Sequence, residues 1–153
     1  MKKAGRLIVY FYLIAVIALA LDQAAKFFVK QIEVGKDFFD IRFFSLAHLN
    51  NYGAGFGILQ GQNWLFILIA VIFIYLIIIY YEKIEKDILV QSGFALFLGG
   101  TASNLIDRLA YGFVVDYLDF KIWPVFNIAD SAITVGAVLI VIYYLMKDKK
   151  KKE

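Results

Sequence analysis

Four apolar runs divide this 153-residue chain. The first begins at about Leu7 and continues, as a helix interrupted by Asp22 and Lys26, to about residue 28. The second, residues 64–81, is almost wholly Ile, Leu, Phe and Val; the third covers about 88–109 and the fourth about 128–146. Each is close to the roughly 20 residues that a helix needs to cross about 30 Å of hydrocarbon. The third contains Gly93, Gly99 and Gly100, small residues that let neighbouring helices approach closely. Between the first two runs the periodicity changes. Phe38 to Phe44 is rich in strand-formers, and Asn50-Asn51-Tyr52-Gly53-Ala54-Gly55 reads as a turn. The pattern predicts an α-helical membrane protein, one domain of four transmembrane helices with a small antiparallel β-sheet whose aromatic face lies on the membrane surface. No internal repeat or second domain is evident.

Composition agrees. Hydrophobic residues make up 62% of the chain, against roughly half in a soluble domain. The absence of cysteine excludes disulfides, thiolate nucleophiles and Cys-based metal sites. The single histidine, His48, argues against a His-cluster metal site and leaves little room for a Ser-His triad. No metal and no cofactor are expected.

Charge sets the orientation. Lys2, Lys3 and Arg6 precede the first run, Lys83 and Lys86 lie between the second and third, and a tail from Lys147 to Lys152 follows the fourth. Four crossings put all three on one side, the cytoplasmic side, with both termini. Beside an apolar run the lysine tail reads as an anchor facing anionic lipid rather than as a nucleic-acid contact. Segments 30–63 and 110–127 then lie outside. Lys26, Lys30, Lys36 and Arg42 oppose this assignment but are interleaved with Asp22, Glu33, Asp37 and Asp40. The N-terminus also resembles a secretory signal peptide with an A-x-A cleavage site at Ala18-Leu19-Ala20; the other three runs would still anchor the chain.

The polar residues that remain map to the outer membrane edge, and each has two readings. Asp22 and Lys26, spaced i, i+4, are either an interfacial ion pair or a brace for the mouth of a site. The glycine-rich stretch from Asn50 to Gly57 is ordinary turn chemistry or a phosphate cradle, but no P-loop lysine and hydroxyl follow it. Asn104, Asp107 and Arg108 share a helix face, as a snorkelling arginine with a helix-end ion pair or as part of a site. Asp130 precedes an apolar helix as an N-cap would, and so does Asn127. Asp116 reads as a solvated loop carboxylate, with Asp119 a rival for any chemistry. Converging carboxyls, by contrast, share one proton and activate a water molecule. Two other classes stand beside that reading. One is a Ser/Lys protease using Ser131 or Ser103 with Lys26 or Lys121. The other is a small transporter, which would keep its ionisable residues near the midplane rather than at one edge.

Five segments in order resemble one family. Asp22-Gln23-Ala24-Ala25-Lys26, Asn51-Tyr52-Gly53-Ala54-Gly55-Phe56, Gly99-Gly100 with Asn104-Leu105-Ile106-Asp107-Arg108, Val114-Val115-Asp116-Tyr117 and Phe126-Asn127-Ile128-Ala129-Asp130-Ser131 are similar to the motif set of the bacterial lipoprotein signal peptidases, signal peptidase II. The resemblance implies a four-helix inner-membrane aspartic endopeptidase with an extracytoplasmic sheet and a mobile flap. It implies a diacylglyceryl-modified prolipoprotein as substrate, cut before the lipid-modified cysteine, and a monomer whose other partner is membrane lipid, with no nucleic acid. Asp116 and Asp130 fall on the family's catalytic pair, and Asn51 and Arg108 on positions that contact substrate or peptide-like inhibitors. Asp22, Lys26, Gly53, Asn104, Asp107, Asn127 and Ala129 fall among positions that shape or support the site. Two residues depart from the pattern. Ser103 stands where the family has glycine, which puts close helix packing there in question, and Gly55 replaces Ala or Ser.

Overall fold

The computed structural model describes residues 2–53 and 58–152, with side chains from residue 5 to 149 apart from 54–57. In chain order it contains α1 (Lys2–Val29), β1 (Asp37–Ile41), β2 (Phe44–Asn51), α2 (Asn63–Ile79), α3 (Ile88–Tyr111), β3 (Val114–Asp119) and α4 (Ile128–Lys152), with a short 3₁₀ turn at Tyr81–Lys83. Helices α1, α3 and α4 are long and apolar enough to cross a membrane, and α2 is a shorter apolar helix of 17 residues. Hydrophobicity is turned outward. On α2 only Ile77 is buried, while Trp64, Leu68, Ile72 and Ile79 are exposed, as suits a helix solvated by lipid chains.

Lipid tails are as apolar as leucine, so the helices are held by close approach and by polar contacts rather than by hydrophobic exclusion. Helix α3 is the hub, packed by α1, α2 and α4. A methyl group on Gly93 would stand 2.8 Å from the carbonyl oxygen of Gly136; one on Gly99 would overlap the carbonyl of Ala15, and one on Gly100 that of Ala129. Gly99→Ala therefore forces α1 off α3. The expected loss is about 1–3 kcal/mol, the usual cost of overpacking, read as a lower melting temperature in detergent. Gly5→Ala, with nothing within 4 Å, leaves it unchanged.

The sheet is antiparallel in the order β1-β2-β3. Its third strand, drawn from the second connecting segment, extends the expected hairpin: Leu49 pairs with Asp116 and Asn51 with Val114. Asn50 and Asn51, expected in a turn, instead close β2, and the turn begins at Tyr52. Ladder pairing to Val114, 63 positions away, holds Asn51 extended. Gly55, within the glycine-rich stretch from Asn50 to Gly57, lies outside the described residues.

Two local devices bring the chain back to the bundle. Helix α3 ends at Gly112, whose φ of 81° places it in the left-handed region and whose N–H bonds to the Arg108 carbonyl at 3.1 Å. This reversal lays β3 along the last turn of α3, where Asp107 accepts the Val115 N–H at 3.1 Å. Helix α4 then opens with a reciprocal cap. Asn127 Oδ1 accepts the Asp130 N–H at 2.8 Å, and Asp130 Oδ2 accepts the Asn127 N–H at 3.2 Å. Asn127 is thus the cap, and Asp130 is its partner one turn on.

Candidate active site

Each of the two aspartates is fixed by its element. Strand β3 carries Asp116, only 3% exposed, into the bundle, which overturns the reading of a solvated loop carboxylate. Its Oδ2 accepts Nδ2 of Asn51 at 2.8 Å and its Oδ1 accepts Nδ2 of Asn127 at 2.7 Å. Asp130, in the first turn of α4, accepts Nδ2 of Asn104 on Oδ1 at 2.8 Å and the Asn127 N–H on Oδ2. Asn127, fully buried, therefore holds both carboxyls, one through its side chain and one through its backbone. Both aspartates line a cavity of ≈ 400 Å³ together with Asn51, Gly53, Asn104 and Arg108. Apart from Thr101, its other walls are apolar, among them Phe66 and Ile69 of α2, Phe97 and Leu105 of α3, Ile133 of α4, and Trp123 to Phe126 from the segment before α4.

Burial, reinforced by the negative charge of Asp130, pushes the Asp116 carboxyl up to about 7, against the opposing pull of the Asn51 and Asn127 amides. At neutral pH this carboxyl is a proton donor as readily as an acceptor.

Beneath the cavity lies a buried polar layer. The Lys26 ammonium, with no exposed surface, donates to Asp22 at 2.7 Å, Asp107 at 2.8 Å and Asn104 Oδ1 at 2.9 Å, which uses all three of its protons. Because lysine only donates, it turns the Asn104 oxygen toward itself and the Asn104 Nδ2 toward Asp130. Asp22 also accepts from Ser103 Oγ at 2.7 Å, Tyr117 Oη at 2.9 Å and the Ala129 N–H at 3.0 Å. One carboxylate thus links α1, α3, β3 and α4. Asp107 completes the layer, accepting from Gln23 and from the Val115 N–H, both at 3.1 Å. Asp22 and Lys26 do not line the cavity, so they are a buried foundation and not a brace at its mouth. A buried ion pair needs every remaining lone pair satisfied, and here neighbouring donors supply that.

Two members of this layer, Gln23 and Tyr117, were given no role from the sequence, and a third, Ser103, has a different role from those it suggested. Ser103, which looked like a packing defect, fills its position with a hydroxyl aimed at Asp22. Burial, with Asp22 adjacent, keeps the Tyr117 phenol protonated above its ordinary range, so it stays a donor to Asp22 while accepting the Ile128 N–H at 3.1 Å. Gln23 and Tyr117 each follow a carboxylate within the recognised segments, the one available signal.

Above the cavity, Arg108 donates to the Gly53 carbonyl at 3.0 Å and stacks on Phe66 with its guanidinium 4.8 Å from the ring centroid. The Gly53 N–H bonds back to Asn51 Oδ1 at 2.9 Å, so Asn51 grips both this loop and Asp116. A methyl on Gly53 would stand 2.6 Å from the Ile58 carbonyl oxygen.

The rival residues point elsewhere. Asp119 pairs with Lys121 at 3.1 Å and accepts from Ser45, outside the cavity. Ser131 Oγ is bonded to the Asn127 carbonyl, and Lys121 is shared among Asp37, Asp40 and Asp119. Neither serine lines the cavity.

Fold and site together define a polytopic membrane protein with two hydrogen-bonded carboxyls facing one cavity beside its helices. Two solved structures described as bacterial membrane enzymes share this architecture at 33% identity. One superposes with a TM-score of 0.87 over 95% of this chain and 93% of its own, the other with 0.81 over 90% and 94%. The chain belongs to the signal peptidase II family: the family model described as "Signal peptidase (SPase) II" matches residues 14–146. Among relatives, the lipoprotein signal peptidase of Halothermothrix orenii is 43% identical over 140 residues, covering 90% of this chain and 97% of that one. That of Moorella thermoacetica is 38% identical over 133 residues, covering 85% and 89%.

Proposed function

We propose that this peptidase removes the signal peptide from diacylglyceryl-modified prolipoproteins, cutting before the lipid-modified cysteine, and that Asp116 and Asp130 perform the hydrolysis. The carrying observation is that a single residue, Asn127, holds both carboxyls in the wall of one cavity. The names of the two relatives support the substrate class. In this mechanism Asp130 is ionised and takes a proton from a water held between the pair, while Asp116 keeps its proton and polarises the scissile carbonyl. As the tetrahedral intermediate collapses, the proton gained by Asp130 passes to the leaving amine. Asn51 and Arg108, at the cavity's rim, position the peptide, and the substrate's acyl chains remain in bilayer beside the apolar wall of α2 and α3. Asp22, Lys26, Asn104, Asp107, Asn127 and Ala129 keep the carboxyls in place.

The chain forms a single domain in the bacterial inner membrane and works as a monomer. Its lysine-rich ends are cytoplasmic, and the site lies at the extracytoplasmic face.

The raised Asp116 carboxyl gives a pH dependence with a definite sign. Its protonated form is the active one, so kcat/KM falls as pH rises through about 7. The same shift acts on stability. A carboxyl raised in the folded state contributes most below its unfolded value of about 3.9, and that contribution is lost as pH climbs through the folded value of about 7. Unfolding of Asp116→Asn, measured from pH 4 to 8, should lack this decline.

The reaction is tested with purified protein in nanodiscs, given a diacylglyceryl-modified precursor and its unmodified form. Cleavage of the modified form alone supports the proposal. Equal cleavage of both overturns the substrate class, and cleavage of neither overturns the activity.

A further inference from the structure

A second cavity, of ≈ 510 Å³, lies between the end of α1 and the sheet, and neither Asp116 nor Asp130 lines it. Its walls include Ala25, Phe28 and Ile32 from the α1 end and Phe38, Leu46 and Tyr117 from the three strands. No charged side chain is among its lining residues, and the one lining amide, Gln31, bonds back to the Phe27 carbonyl at 3.3 Å. The volume falls within the roughly 300–1,000 Å³ typical of small-molecule sites.

The surroundings identify the occupant. Leu13, Ile17 and Leu21 of α1 follow one another every four residues and are 54%, 47% and 57% exposed. On a membrane-spanning helix such a stripe faces lipid. Ala25 is the next residue of the same stripe and already lines the cavity, so the cavity continues the protein's bilayer-facing surface. Phe28 and Phe38, 70% and 74% exposed, extend the apolar surface where the cavity opens. Apolar cavities of this kind do not hold water, and an unfilled one forfeits the dispersion contacts of its lining. We infer that this cavity is a binding site for one acyl chain of an outer-leaflet phospholipid, whose first methylenes lie against Leu46 and the ring of Tyr117 and whose tail runs inward along the Leu21–Leu13 stripe.

The site stands independently of the proposed reaction, and photo-crosslinking tests it. Wild-type protein in nanodiscs doped with a phospholipid bearing a diazirine near the carbonyl end of one acyl chain is irradiated, and its adducts are mapped by mass spectrometry. Adducts are expected on Leu46 and Tyr117, the latter 2% exposed and out of reach of bulk lipid. They should be lost in Leu46→Trp and in Ala25→Phe, either of which fills the cavity, while adducts on Trp64, exposed at the outer end of α2, remain. Adducts confined to the exposed helix surface would overturn the inference, as would Tyr117 adducts that persist in both filled variants. Displacement of the Leu46 and Tyr117 adducts by a diacylglyceryl-modified precursor would also overturn it, by assigning the site to the substrate's own chain.

Discussion

Asp116→Asn and Asp130→Asn should each lower kcat/KM for a lipid-modified precursor by about 10²–10⁴-fold, the range that general acid–base groups contribute. An amide has the shape of the carboxyl but cannot exchange the proton. It also fits its partners poorly. Both oxygens of Asp116 accept from amide groups, of Asn51 and Asn127, so in the asparagine variant one NH₂ must face another. The double variant should be little worse than either single one, because residues that act as a unit are not additive. Asp119→Asn is the control. Its carboxyl serves Lys121 and Ser45 outside the cavity, and its loss should leave the rate unchanged. Steady-state cleavage assays, with melting curves to establish folding, read all four.

The second large effect is expected at Lys26. Lys26→Met leaves Asp22 and Asp107 buried without their cation, a loss of about 3–5 kcal/mol for a broken buried pair. Activity should fall even in the folded fraction. Without Lys26 the Asn104 oxygen keeps only the 3.2 Å bond from Asn127 Nδ2, so its amide turns more readily to face that oxygen to Asp130, exchanging a hydrogen bond for a repulsion. Adding Asp107→Asn to Lys26→Met removes one orphaned charge and should recover part of the melting temperature. A double-mutant cycle on thermal unfolding measures that coupling. Recovery of stability without recovery of rate would separate the lysine's two roles.

Much of this arrangement is legible along the chain because bilayer thickness imposes a length. The four apolar runs correspond to the four helices, and Gly93, Gly99 and Gly100 do sit where backbones touch. That Asp22, Asn104, Asp107, Arg108, Asp116, Asn127 and Asp130 share one level followed from their places at the span ends. What they do at that level did not. Asp22 and Lys26 at i, i+4 look alike whether they sit at a surface or in a sealed layer; the difference lies in Ser103, Tyr117 and Ala129, each at least 81 positions away. The third strand was missed for a related reason. Val114 to Asp119 alternates only weakly, and a ladder between Leu49 and Asp116 is a long-range pairing that no local pattern encodes. Asn127 is the sharpest case. As a local feature it is a helix cap, and only in three dimensions does the same residue hold both carboxyls, Asp116 through its side-chain amide and Asp130 through its backbone N–H.

Direct attack by a water molecule held between Asp116 and Asp130 leaves a product that covalent catalysis does not, and one measurement distinguishes the two. The modified precursor is cleaved in a single turnover in oxygen-18 water with hydroxylamine present, and the new C-terminus of the released signal peptide is weighed by mass spectrometry. Direct attack predicts a free carboxylate carrying one labelled oxygen and no hydroxamate. A hydroxamate at that terminus would reveal a covalent acyl-enzyme and contradict the mechanism.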